Sequence, residues 1–136
     1  MGGPVESREE MVAQMAPQLD PTAYCFMIVT PDLAPQALGG AIGTFREDEG
    51  VTAIVPEPLA RELGEDGPAF ARIILTVHSS LTGFGLTAAV SSALAEHGIA
   101  CNMVAAYHHD HAFVPSTDAA RALAILEELS RTGSHC

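Results

Sequence analysis

Apolar and polar positions along this chain follow two periods, near two where strands are expected and near three to four where helices are expected. The switches between them give the order of elements. Ser7-Arg8-Glu9-Glu10 has the spacing of a capping box, and Met11, Val12 and Met15 follow as a short apolar stripe. Pro17 and the Asp20-Pro21 pair end that stripe, so residues 1–20 are expected to form an N-terminal helical arm, its methionines packed on a sheet. Tyr24–Thr30 is a dense β-branched and aromatic run that predicts a buried strand. Pro31–Gly40 holds two prolines and two glycines and predicts a loop with at most one turn of helix. Ala41–Arg46 and Val51–Val55 predict a hairpin around the acidic turn Glu47-Asp48-Glu49-Gly50. Pro56–Leu63 starts with proline and stops at Gly64, the pattern of a short helix. Glu65–Pro68 breaks the pattern and separates two halves, residues 21–68 and 69–136.

Ala71–His78 carries Ile73, Leu75 and Val77 on one face and Ile74 and Thr76 on the other, which predicts a central strand. After the polar turn Ser79–Gly83, a helix is expected from Phe84 to His97, with Gly98 as its stop. Ile99–Tyr107 and His111–Val114 predict two more strands, with His108, His109 and Asp110 in the turn between them. Pro115 closes that hairpin, and Ser116 or Thr117 caps a last helix striped by Leu123, Leu126 and Leu129. The second half therefore reads β-α-β-β-α, the ferredoxin-like order without its final strand. The first half reads as a degenerate copy, and the strand Ala71–His78 is placed to serve both. The fold class is α+β. The missing strand leaves a sheet edge to be covered by the N-terminal segment or a second subunit.

Composition narrows the partners. With 6 Lys+Arg against 17 Asp+Glu, the net charge is −11. That argues against nucleic acid, whose phosphates need clustered cations, and against an anionic membrane surface. The apolar runs are too short to span a bilayer, and the acidic N-terminus lacks the apolar stretch of a signal peptide. Three cysteines, Cys25, Cys101 and Cys136, with no CxxC, fit reduced thiols and a cytoplasmic location better than a disulfide framework. A chain of 136 residues buries about two-thirds of its unfolded surface, a thin margin that burial between subunits would supplement, so a homodimer is expected.

Two groups of residues bear chemistry. The first is the turn Ser79, Ser80, Leu81, Thr82, Gly83, Phe84, Gly85 and Leu86, at the carboxyl end of a central strand and the start of a helix. Unpaired backbone N–H groups and a partial positive charge favour a carboxylate or phosphate there, and the glycines permit close approach. Asn102, on the neighbouring strand, adds an amide donor and acceptor. The alternative is that the glycines serve the turn alone and Ser80 or Thr82 caps the helix. The second group is His109-Asp110-His111 with His78 and His108, which has the nitrogens for a Zn²⁺ or another transition metal but the position of an ordinary polar hairpin turn. The turn reading is preferred, and no metal or cofactor is expected. Cys101 lies in an apolar strand where thiols are inert, and no nucleophile elbow accompanies Ser79 and Ser80, so no catalytic residue is assigned.

Arg72–Leu129 resembles an ACT domain. Gly85-Leu86, Leu94-Ala95 and Gly98-Ile99 stand where that family carries a Pro-Gly-x-Leu-like turn, a helix ending in Leu-Ala and a Gly-Ile strand, although the usual Asp and Pro of the turn are absent. The whole chain resembles small bacterial proteins built from two ACT-like halves. His78-Ser79-Ser80-Leu81, Gly85–Val90, Cys101-Asn102 and His109–Pro115 carry that likeness, and the stretches Met11 to Pro21 and Thr44 to Pro56 fit it too. The resemblance implies tandem ferredoxin-like halves and a regulatory module that binds a small molecule, an amino acid above all, without catalysis. The expected ligand contacts are Ser79–Leu86 and Asn102. No effector domain accompanies the halves in this sequence, so a signal is expected to pass to another protein or within an oligomer. A metal-dependent enzyme using His78, His109, His111 and Asp110, and a structural interaction protein, are the competing readings.

Overall fold

The structure, a computed structural model, describes residues 7–78 and 80–132. Its elements in chain order are α1 (Arg8–Gln14), β1 (Gln18–Val29), α2 (Ala34–Gly40), β2 (Gly43–Glu47), β3 (Gly50–Pro56) and α3 (Glu57–Glu62), then β4 (Phe70–Leu75), α4 (Leu86–Ala95), β5 (Asn102–Ala105), β6 (Asp110–Pro115) and α5 (Ala119–Thr132). They divide into two compact units, one within Met1–Asp20 and Ala71–Cys136, the other Pro21–Phe70.

In the Pro21–Phe70 unit the strand order is β2-β3-β1. Both pairings are antiparallel, with Cys25 opposite Val55 and Thr44 opposite Ala53. Alternation puts Cys25, Met27, Ala53 and Val55 on one face, where they form a core with Ala60 of α3. The expected loop Pro31–Gly40 is instead helical from Ala34. Pro35 lies in the first turn of α2, where a missing N–H costs nothing. At the other end of α2, Gly40 meets Leu59, and a side chain there would collide with it. Pro35 and Gly40, two of the four residues that suggested a loop, thus build the start and the packed end of a short helix. The strand β1 starts at Gln18, earlier than Tyr24, and runs through Pro21. The β1–β3 ladder spans Tyr24–Val29, so it makes no demand on the absent N–H of Pro21.

In the other unit, the first residues of β1 lie beside β4, and the order continues β4-β6-β5. β1 therefore occupies the position that a final strand would take, and the edge expected to be open after α5 is covered within the chain. That removes the sheet-edge argument for a second subunit. α1, α4 and α5 pack with one another. Between helices and sheet, Met11, Val12, Met15, Ile73, Leu75, Val90, Leu94 and Leu126 are all at most 1% exposed. The arm is integral to this core: the Thr76 N–H donates to the Met15 carbonyl at 2.7 Å, and the Ser130 hydroxyl donates to the Ala13 carbonyl at 3.1 Å. At the head of α1, the Ser7 side chain accepts the Glu10 N–H at 3.3 Å, as the capping-box spacing predicts.

Candidate functional site

α4 begins at Leu86 behind Gly85, whose φ of 106° and ψ of −25° are left-handed. Glycine reaches that conformation without the penalty a side chain would incur. The first intrahelical bond runs from the Ala89 N–H to the Gly85 carbonyl at 2.9 Å, leaving the amides of Leu86, Thr87 and Ala88 directed out of the helix start. Among the described residues, no side chain caps this end. Ser80 and Thr82, the caps of the alternative reading, bond to each other instead. The Ser80 hydroxyl accepts the Thr82 N–H at 3.1 Å and lies 2.9 Å from the Thr82 hydroxyl.

A cavity of about 490 Å³ opens at this helix start. Ser80, Leu81, Gly83, Phe84, Gly85 and Leu86 line it, and Ala105 and Asp110 of the β5–β6 hairpin close the far side. The structure thus brings together most of the residues the sequence singled out. Thr82 and Asn102 are not in the lining; Asn102 is exposed, opposite Phe113. Ser79 lies outside the described residues. Asp110 is the addition: sequence reasoning placed it in a turn or a metal set, because nothing in a hairpin's local pattern reports which loop it faces. Leu81 and Phe84 stand at the mouth, 65% and 85% exposed. Gly85 admits a neighbour, as expected, but the neighbour is Arg8. A β-carbon at Gly85 would lie 2.7 Å from Arg8 Cδ and 2.9 Å from Arg8 Cβ.

The histidines divide into two groups. The rings of His78 and His108 are 5.3 Å apart, with Tyr107 5.0 Å from His108 on the other side and His109 at 6.3 Å. His111 instead meets Arg72, whose guanidinium approaches its Nδ1 at 3.5 Å while bonding Asp20 at 2.8 Å. Burial first, then Arg72 and His109, push the His111 pKa below the usual imidazole range, against a smaller opposing pull from Asp110. Among the described residues, no three His, Cys, Asp or Glu side chains are grouped to hold a metal ion. Cys25 is buried and Cys101 half-buried, both are free thiols, and burial raises both pKa values, which makes them poor nucleophiles at neutral pH. Cys136 lies outside the described residues. No helix among these residues is long and apolar enough to cross a membrane.

Comparison with known proteins agrees with this architecture. One ACT domain model matches residues 72–128 and another matches residues 5–72. No curated protein matches the chain. Among solved structures, a Vibrio cholerae protein of unknown function, described as a possible transport protein, is 41% identical. The likeness covers 88% of this chain and 92% of that one, with a TM-score of 0.76. The ligand-free regulatory subunit of aspartate kinase from Thermus thermophilus shares the fold at 14% identity and TM-score 0.62, over 86% of this chain and 97% of that one. An Agrobacterium tumefaciens protein does so at 18% identity and TM-score 0.62, over 84% and 87%. With family models matched across both halves and a 41% identical relative spanning nearly its whole length, this α+β chain belongs to the ACT domain family, in tandem ferredoxin-like form.

Proposed function

We propose that this chain is a non-catalytic regulatory module that binds a free amino acid in the cavity at the start of α4. The observation that carries this reading is the opposition of charges across that cavity. On one wall are the outward amides of Leu86, Thr87 and Ala88, with the positive end of the helix dipole behind them. On the other is the Asp110 carboxylate. A zwitterion complements both: its carboxylate on the amides, its ammonium toward Asp110. The volume of about 490 Å³ accommodates a small amino acid with its side chain toward Leu81 and Phe84. Membership of a regulatory, ligand-binding family supports the same reading, and the aspartate kinase regulatory subunit offers a precedent for such a fold in regulation. A zwitterion has no net charge, so the chain's net charge of −11 neither repels nor steers it at long range, and binding rests on the local contacts. The module works as a homodimer in the cytoplasm, where Cys25 and Cys101 stay reduced.

The test is an NMR titration of the full chain with amino acids at millimolar concentration. The amide resonances of Thr82–Leu86 shift on binding. Asp110→Asn weakens binding of the amino acid more than that of the matching carboxylic acid without its ammonium group. If no amino acid or small carboxylate moves those resonances, the sensor reading fails and an interaction protein takes its place.

A further inference from the structure

The helical face of the Met1–Asp20 and Ala71–Cys136 unit carries a second concavity, a groove of about 660 Å³ along α4 and α5 that shares Ala88 with the lining of the α4 start cavity. The two helices run antiparallel, since Arg121 at the head of α5 donates to the His97 carbonyl just past the end of α4 at 3.0 Å. The floor is small and apolar: Ala88 and Ser92 on α4 and Ala124 on α5 are exposed, and Ile125 and Leu129 are half-buried. The rim is charged in a regular way. One end carries Arg8 and Glu128, and the other carries Glu96 and Arg121. In a chain with only 6 cationic side chains, two stand on this rim.

We propose that this groove is the surface on which two copies of the chain associate, α5 against α5 and α4 against α4, antiparallel about a two-fold axis. This rests on the reading of the protein as a homodimer and names the surface. A two-fold interface must be complementary to itself. Turning a second copy end over end places its Arg121 over Glu128 and its Glu96 over Arg8, and each pair occurs twice. The alternation of sign along the rim meets that requirement, whereas a single-sign rim would repel its own copy. The crossing point falls midway between Arg121 and Glu128, at Ala124, and midway along α4 at Ser92, where small side chains let helix axes approach closely. Arg121 already bonds Asp118 at 3.2 Å and Glu128 already bonds Arg131. A guanidinium has five donors and a carboxylate about four acceptor sites, so each has capacity for a partner across the axis. α5, of 14 residues, is about 21 Å long, which limits the contact to a small two-helix face.

The test is sedimentation velocity on the full chain at about 5–100 µM. The native chain is expected to shift from 14.2 kDa toward twice that mass as concentration rises. Ala124→Arg, at an exposed position, places a bulky charge at the crossing and holds the chain monomeric while its melting temperature stays close to native. Arg121→Glu and Glu128→Arg each weaken association by at least tenfold, and the double reversal restores it, because both pairs re-form with their signs exchanged. A native chain that remains monomeric overturns both this surface and the homodimer reading. A native dimer unmoved by Ala124→Arg overturns this surface alone and leaves the homodimer reading standing. Either outcome is independent of the amino-acid titration.

Discussion

Gly85→Val tests how the N-terminal arm and the start of α4 depend on each other. The native φ of 106° lies in the left-handed region, which costs a non-glycine residue about 1–2 kcal/mol and a β-branched one more. The new β-carbon would stand 2.7, 2.8 and 2.9 Å from Arg8 Cδ, Cγ and Cβ. The far end of Arg8 can swing aside, but its Cβ is fixed to α1, so relief requires α1 itself to shift. That helix is held by Met11 and Val12, both at most 1% exposed, and loosening their packing adds about 1–2 kcal/mol. The sum is about 2–4 kcal/mol, which for a chain of this size lowers the melting temperature by about 10 °C. Circular dichroism melts of Gly85→Val, Gly85→Ala, Arg8→Gly, which removes the Arg8 Cβ, and the double variant Arg8→Gly/Gly85→Ala measure it. The double variant recovers the crowding but not the backbone strain, so the cycle shows a coupling of about 1 kcal/mol. Additive single effects would refute the Arg8 contact as the cause, and a Gly85→Val variant melting with the native protein would refute both the strain and the crowding.

Acid stability follows from His111. Its folded pKa is depressed, so at pH values below about 6.5 the unfolded chain binds a proton that the folded chain resists. Stability conferred by the neutral ring is full above about pH 6.5 and is lost as pH falls toward the folded value. The groups that face this ring are Arg72 on β4, itself paired with Asp20, and the neighbouring His109 and Asp110. Melting temperatures between pH 7.5 and 5 should fall less steeply for His111→Gln than for the native chain. Arg72→Ala should raise the His111 pKa read by NMR, and parallel melting curves for native and His111→Gln would contradict a destabilising protonation at this ring.

The strands and the α4–α5 pair were legible because each rests on local pattern. Ile73 and Leu75 alternate across β4, and Leu86, Ala89, Val90 and Leu94 recur at helical spacing. α2 escaped notice because Pro31, Pro35, Gly39 and Gly40 are breakers by composition. What makes them compatible with a helix, the first-turn place of Pro35 and the approach of Leu59 to Gly40, is a matter of position and tertiary packing. The candidate site divides in the same way. Ser80–Leu86 could be read as a glycine-bearing turn before a helix, a local signal. Asp110 and Arg8 reach it from other elements, and neither carries a mark in its own segment of where the fold will place it. Asn102 stands outside the cavity lining for a related reason: strand register places it opposite Phe113, and Ala105, three residues on, lines the cavity.

The arm's contribution to the core decides whether residues 69–136 can stand alone. That segment holds β4, α4, β5, β6 and α5, a β-α-β-β-α set that sequence reasoning treats as the better-formed half. Without residues 1–20 it loses Met11, Val12 and Met15, each at most 1% exposed, and each buried side chain of that size contributes about 1.5–3 kcal/mol. It also loses the strand beside β4, the Asp20 partner of Arg72 and the Met15 and Ala16 carbonyls that accept from Thr76. The apolar loss alone is about 5–9 kcal/mol, comparable to the whole stability of a small domain. Residues 69–136 expressed alone should therefore show no cooperative melt and poorly dispersed amide resonances. The same segment with residues 1–20 fused ahead of it through a flexible linker should recover both. If the short segment melts cooperatively within a few degrees of the full chain, the arm is an accessory, and the core does not depend on α1 and the opening of β1 for its stability.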